Sequence, residues 1–283
     1  MLNDIRHEFL KIALQKKNYI AAVGHLVLIA LCVVGMGRSS EFYYFGNFDK
    51  MGLRLEDFQR LLDGMFFARC MLIPTFVILL PCLICTVAGD LIAGEMQDGS
   101  LRLYASRVRG RTSIIFSKMS AMFFFSFAYC IYFGSITLIG GYIFFGWEET
   151  QIIPLAELGT GTDLEIMSSS QALFRYVIII IYYGFSTMAL GCITLFFSAI
   201  FDRMTSATVA GITLYYVSYI LENLPLLNSL KPYLLSRLMN GCVLFWLDPI
   251  PVWRIAHNTT YLVLYIAIFC TATVLVFHNK DIS

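Results

Sequence analysis

The residues of this chain that could do chemistry are few, and they lie far apart. Asp90, Glu95 and Asp98 are the close group of carboxylates on the side of the chain that its charge pattern makes cytoplasmic. Grouped carboxylates at a membrane face would suit acid–base or metal-assisted work on a lipid headgroup. Only Asp90 and Asp98 can share a face at helical spacing, and Gly94 between them weakens even that. Cys82-Leu-Ile-Cys85 has the spacing of a redox or zinc pair. It sits inside an apolar run with no second pair nearby, so it reads as packing. His25 lies within an apolar run, where an ionisable side chain is a functional candidate; a neutral imidazole bonded to a neighbouring helix is the commoner use. Glu222 ends another such run. Several motifs are missing. There is no GxxxxGK[ST] phosphate loop, and no Gly-Lys dipeptide occurs at all. There is no His-Glu-x-x-His zinc helix and no Gly-x-Ser-x-Gly elbow. No catalytic or metal-ligating residue is nominated.

The elements that must position these residues follow from composition. Of 283 residues, 58% are hydrophobic and 14% charged, with a net charge of +1 and a mean hydropathy of +0.73. Soluble domains run at about 45–50% apolar and about 25% charged. A disordered chain and a soluble single-core enzyme are therefore excluded, and nothing in the charge argues for nucleic acid. Six stretches without Asp, Glu, Lys or Arg are long enough to cross hydrocarbon. They predict helical spans at about 19–37, 70–89, 119–145, 176–200, 205–221 and 257–277. The predicted fold is an all-α integral membrane protein, one transmembrane domain over 1–283. The first run starts late, is flanked by acids as well as bases and lacks a cleavage site, so it reads as an anchor rather than a signal peptide. Arg102, Arg107, Arg109 and Arg111 crowd one loop, whereas 148–165 carries five acids and no base. That contrast places both termini and the arginine-rich loop in the cytoplasm.

The polar segments carry the remaining signals. In 1–17, Leu2, Ile5, Phe9, Ile12 and Ala13 follow helical spacing, and Leu10 and Leu14 widen the stripe. This predicts an amphipathic helix along the membrane interface. Asp63-Gly-Met-Phe-Phe-Ala68-Arg69 resembles the Asp-Gly-x-x-Ala-Arg motif of CDP-alcohol phosphotransferases. It is one residue too long, lacks the second aspartate pair and faces the wrong side, so that assignment is rejected. Pro74 and Pro81 predict a bent second span. Asp90 is expected to end that span, Gly94 and Gly99 to interrupt the helix, and Ser100 to cap a short helix over Leu101–Ser106. The acidic stretch 148–175 reads as a solvated loop. Segment 222–254 holds Pro225, Pro232, Pro249 and Pro251 between short apolar pieces, which predicts short re-entrant outer helices. Asn258-Thr-Thr260 matches a glycosylation pattern but abuts a span.

Glu95, then Gly99-Ser100-Leu101, then Arg111 and Lys118 resemble the cytoplasmic loop of ABC type-2 permeases, the membrane subunits of ATP-binding-cassette exporters. Ser100 stands for the family's Thr, and Val108 for its Pro. The six-span layout, the amphipathic N-terminal helix and the terminal Lys280-Asp281-Ile282 fit the same family. The resemblance implies that 90–117 is a coupling loop, with Gly94, Glu95, Gly99, Ser100, Leu101, Arg102, Tyr104, Arg107 and Arg111 toward an ATPase. It implies a separate cytosolic ABC ATPase dimer that holds ATP and Mg, a second and identical permease copy, and contact with membrane lipid. It implies an outer gate of two short helices in 222–254. It nominates Thr75, Phe76, Thr213 and Tyr216 for a substrate pathway, one apolar enough for a lipid-like or amphiphilic cargo. The expected place is a cell membrane, the inner membrane of a bacterium. Two other readings stand beside it. One is an integral-membrane lipid-modifying enzyme built on Asp90, Glu95 and Asp98. The other is an ion-coupled carrier using His25 and Glu222, although no clear repeat relates the halves.

Overall fold

The computed structural model describes residues 2–37, 63–100, 111–154, 164–224 and 228–280. A first helix, α1 (Leu2–Ala13), precedes α2 (Lys16–Gly37). The second span is assembled from α3 (Gly64–Cys70), a π-helical segment Ile73–Leu79, α4 (Leu80–Gly89), a second π segment Asp90–Gly94, and α5 (Glu95–Gln97). Then come α6 (Arg111–Phe145), a hairpin of β1 (Thr150–Pro154) and β2 (Leu164–Ser168), α7 (Ser169–Ile200), α8 (Met204–Asn223), α9 (Leu235–Met239) and α10 (Val252–Asn279). Among the described residues, six helices are long and apolar enough to cross a membrane: α2, the assembled helix Gly64–Gln97, α6, α7, α8 and α10. Six crossings bring the described ends, Leu2 and Lys280, to one face, called here the terminal face.

The second span is longer than its charge-free run of 70–89. On the far face, Asp63 caps α3 by accepting from the Phe66 amide at 2.8 Å. Arg69 is buried within α3, its guanidinium 5.1 Å over the Trp246 ring. On the terminal face the helix runs past Asp90, because that carboxylate is paired rather than hydrated. Two prolines explain the irregular middle. Pro81 has no N–H to give to the carbonyl of Val77 one turn earlier. The Tyr215 hydroxyl of α8 donates to that carbonyl instead, at 3.0 Å. Tyr215→Phe is therefore expected to lower stability by about 0.5–1.5 kcal/mol, seen as a lower Tm in detergent.

α7 is the hub. It packs against α4, α6, α8 and α10, and Tyr176, Ile179, Ala189, Leu190 and Ile193 are wholly buried. Its terminal-face end is capped from a distance: Lys280 Nζ donates to the carbonyls of Ala199 and Ile200 at 2.8 and 3.1 Å and pairs with Asp202 at 2.8 Å. By contrast α2 is peripheral, burying only Asn18, His25, Ile29 and Met36 along one face.

Two expectations change. The stripe of α1 does not turn to lipid: Ile12 is buried and Phe9 half-buried in the protein core, with α1 lying along α6. Leu10 and Leu14, the edge of the stripe, are the exposed leucines. The stretch 148–175 is not simply a solvated loop, since β1 and β2 pair antiparallel with Ile152 opposite Ile166. Ser168 ends the hairpin and caps α7 by accepting from the Gln171 amide. The region of the rejected phosphotransferase motif is helix α3, with Gly64 against the backbone of Gly141. The expected short helices of 222–254 are present as Lys231–Tyr233, α9 and Asn240–Trp246. Tyr182 donates to the Leu238 carbonyl at 2.6 Å, and Arg175 donates to those of Trp246 and Leu247 at 3.2 Å.

Candidate functional site

The charged groups on the terminal face converge where α1, α5 and α6 meet. α6 begins with Arg111 and turns Lys118 inward at its second turn. There Lys118 is 1% exposed and Glu95 5%, and Lys118 Nζ lies 2.6 Å from Glu95 Oε1. Lys11 of α1 pairs with the same oxygen, and Glu8 of α1 lies 3.4 Å from Lys118. A second pairing sits one helical turn deeper. Asp90 accepts from Lys17 at 2.9 Å and from Gln15 at 2.8 Å, while Lys17 also reaches the Thr86 carbonyl at 3.3 Å. Between these pairs lies a cavity of about 140 Å³ bordered by Lys11, Gln15, Asp90, Glu95 and Asp98.

Geometry at the backbone puts Asp90 and Glu95 on that side. Segment Asp90–Gly94 is π-helical, and a π turn holds one residue more than an α turn. The groups it leaves unpaired are met by Ser198 of α7. Its hydroxyl accepts from the amides of Ala93 and Ile92 at 2.8 and 3.3 Å and donates to the Gly89 carbonyl at 2.8 Å. Gly94 does not break the helix. A Cβ there would lie 2.0 Å from Asp90 Oδ1, so any side chain would push that carboxylate off Lys17. Gly99 does stop it, with φ at +71°, and Ser100 donates back to the Glu95 carbonyl at 3.3 Å. A Cβ on Gly99 would meet nothing within 4 Å. Gly99→Ala should thus cost only the left-handed backbone penalty, about 1–2 kcal/mol, and Gly99→Asn less. Thermal melts of the two variants check this.

Chemically, the arrangement is a brace. Asp90 and Glu95 already hold cations, so neither is poised as a general base on a bound lipid. Among the described residues no group of His, Cys, Asp and Glu could hold a metal. Of the nine residues expected to face an ATPase, the structure brings Gly94, Glu95, Gly99 and Ser100 together at the end of the second span. Leu101, Arg102, Tyr104 and Arg107 lie outside the described residues, as do the rest of Leu101–Ser106 and Val108; Arg111 is described only as the start of α6. Glu95 turns inward to lysines rather than outward to a partner. Lys11, Gln15 and Ser198 were not nominated. Lys11 and Gln15 lie on or beside the amphipathic stripe, which could have pointed to them; a single serine in an apolar run gives no signal.

The four pathway candidates do not share one place. Thr75 and Phe76 are buried, and Phe76 stacks on Tyr183 with centroids 4.4 Å apart. Thr213 is on the exposed face of α8. Tyr216 is half-buried beside it, its hydroxyl 3.5 Å from Cys82 Sγ. His25 is wholly buried, its Nε2 3.1 Å from Thr137 Oγ1 and its ring 4.4 Å from Phe133. Because Thr137 gives its proton to the Phe133 carbonyl at 2.7 Å, His25 is the donor and carries its proton on Nε2. Glu222 pairs with Arg237 at 3.7 Å at the end of α8, whereas His25 lies in the middle of α2.

A family model described as "ABC-2 family transporter protein" matches residues 5–282. No curated protein matches the chain.

Proposed function

Since this chain belongs to the ABC-2 transporter family, a family of multi-pass membrane transport proteins, we propose that it is the permease half of an ATP-driven exporter. In this reading the terminal face is cytoplasmic, and the membrane is a cell membrane, the inner one of a bacterium. A separate ATPase dimer binds ATP and Mg and docks on segment 90–117. Two copies of this chain complete the transporter.

One observation supports the reading most directly. Segment 101–110 is flanked by α5 and α6, and both flanks are tied to each other and to α1 through Glu95 and Lys118. A push on that segment is then delivered to the second and third spans and the N-terminal helix together. A rigid junction of this kind suits transmission of a domain motion, and serves no purpose in an enzyme whose carboxylates must meet substrate. For the pathway, Thr213 and Tyr216 on α8 are the candidates open to a second copy, and the largely apolar span faces suit an amphiphilic cargo.

The test is purification of the tagged chain in mild detergent, followed by mass spectrometry of what accompanies it. A stoichiometric ATPase is expected, and it should be lost with Gly99→Trp, whose side chain projects into open space beside the docking segment. An intact, monodisperse chain with no ATPase would overturn the proposal.

A further inference from the structure

We propose that Cys192 and Cys270 are an oxidisable pair within the membrane, closing to a disulfide when a membrane-dissolved quinone accepts their electrons. Cys192 lies on α7 and Cys270 on α10, the two helices that pack most extensively against each other. Their sulfurs are 3.5 Å apart. They sit at one level, each about two turns before the terminal-face end of its helix, at a depth of ~12 Å from a rise of 1.5 Å per residue. The other buried thiols face oxygen instead: Cys85 meets Thr194 Oγ1 at 3.4 Å, Cys130 meets Thr187 Oγ1 at 3.6 Å and Cys242 meets the Asn240 carbonyl at 3.6 Å. Cys192 is buried, whereas Cys270 is half-buried and so reachable from the lipid side of α10.

The chemistry balances with one acceptor. Both S–H bonds break and one S–S bond forms. The two electrons and two protons leave with the quinone, which becomes the quinol. The sulfurs must close from contact to about 2.05 Å. The product fastens the peripheral sixth span to α7 at the centre of the bundle. It is independent of the ATPase and of the cargo.

The test uses the full chain in lipid nanodiscs, treated with a fully substituted quinone that has no open ring carbon for thiol addition. The chain is then denatured, alkylated with a maleimide and mapped by peptide mass spectrometry. Cys192 and Cys270 should lose labelling together and regain it after dithiothreitol, with Cys85 and Cys130 still labelled. In Cys192→Ser, Cys270 should stay labelled. Full labelling of both cysteines after quinone would overturn the proposal, as would loss of Cys270 labelling in Cys192→Ser.

Discussion

Lys118→Met is expected to lower the stability of the folded chain by about 3–5 kcal/mol. The reason is burial rather than attraction. Lys118 and Glu95 have side-chain exposures of 1% and 6%, so water cannot take over for the missing ammonium. Glu8, 3.4 Å away, loses the same partner. Lys11 offers the natural control, since it pairs with the same Glu95 oxygen but is 42% exposed. Lys11→Met leaves Glu95 with Lys118 and should cost about 1 kcal/mol or less. The two lysines thus separate the value of a buried charge from that of a contact. In Lys118→Met, Glu95 keeps only the half-exposed Lys11, and a double variant, Lys118→Met with Glu95→Met, removes that under-compensated buried charge as well. It should recover most of the loss, because exchanging a buried ion pair for apolar groups is often neutral. Thermal unfolding of the three variants in one detergent reads all of this. Equal losses for Lys118→Met and Lys11→Met would mean the pair is not buried as described. On the proposed function, the double variant should fold and still transport poorly, since α5 and α6 would no longer move as one.

The six crossings were legible because hydrocarbon tolerates so few charges that the gaps between them mark the helices. The same logic does not give the length of the helix that carries the second span, Gly64–Gln97. Arg69 and Asp90 looked like its ends, yet Arg69 lies on Trp246 and Asp90 is held by Lys17 and Gln15. A charge ends a span only if nothing in the fold neutralises it, and those partners come from elsewhere in the chain. The α1 stripe was readable as a stripe, but periodicity cannot say whether an apolar face meets lipid or protein; α6 was the answer. The strands Thr150–Pro154 and Leu164–Ser168 are too short, and too mixed with acids, for alternation to stand out. At the site, Glu95, Gly99, Ser100 and Lys118 came from the resemblance. Their contact did not: the family pattern gives an order of residues, not which of them turn inward.

Ser198→Ala is expected to release the π segment and with it the brace, at a cost of about 2–3 kcal/mol. The hydroxyl spends its one proton on the Gly89 carbonyl and both lone pairs on the amides of Ile92 and Ala93, so it is saturated. Without it those buried backbone groups have one route to new partners, relaxation of Asp90–Gly94 toward an α turn. That relaxation removes the extra residue of the π turn. Each residue of an α-helix advances about 100°, so Glu95 would swing roughly that far from Lys118 and Lys11. Ser198 thus sets the direction of a carboxylate on another helix without touching it. Ser198→Thr keeps a hydroxyl and separates this role from simple packing. The decisive readout is a cysteine pair, Glu95→Cys with Lys118→Cys, cross-linked with and without Ser198→Ala. Cross-linking should fall sharply in the alanine background and survive in the threonine one. Unchanged cross-linking with Ser198→Ala would show that the π segment is held by the span itself. The brace would then depend on the prolines and Gly94 of the second span rather than on α7.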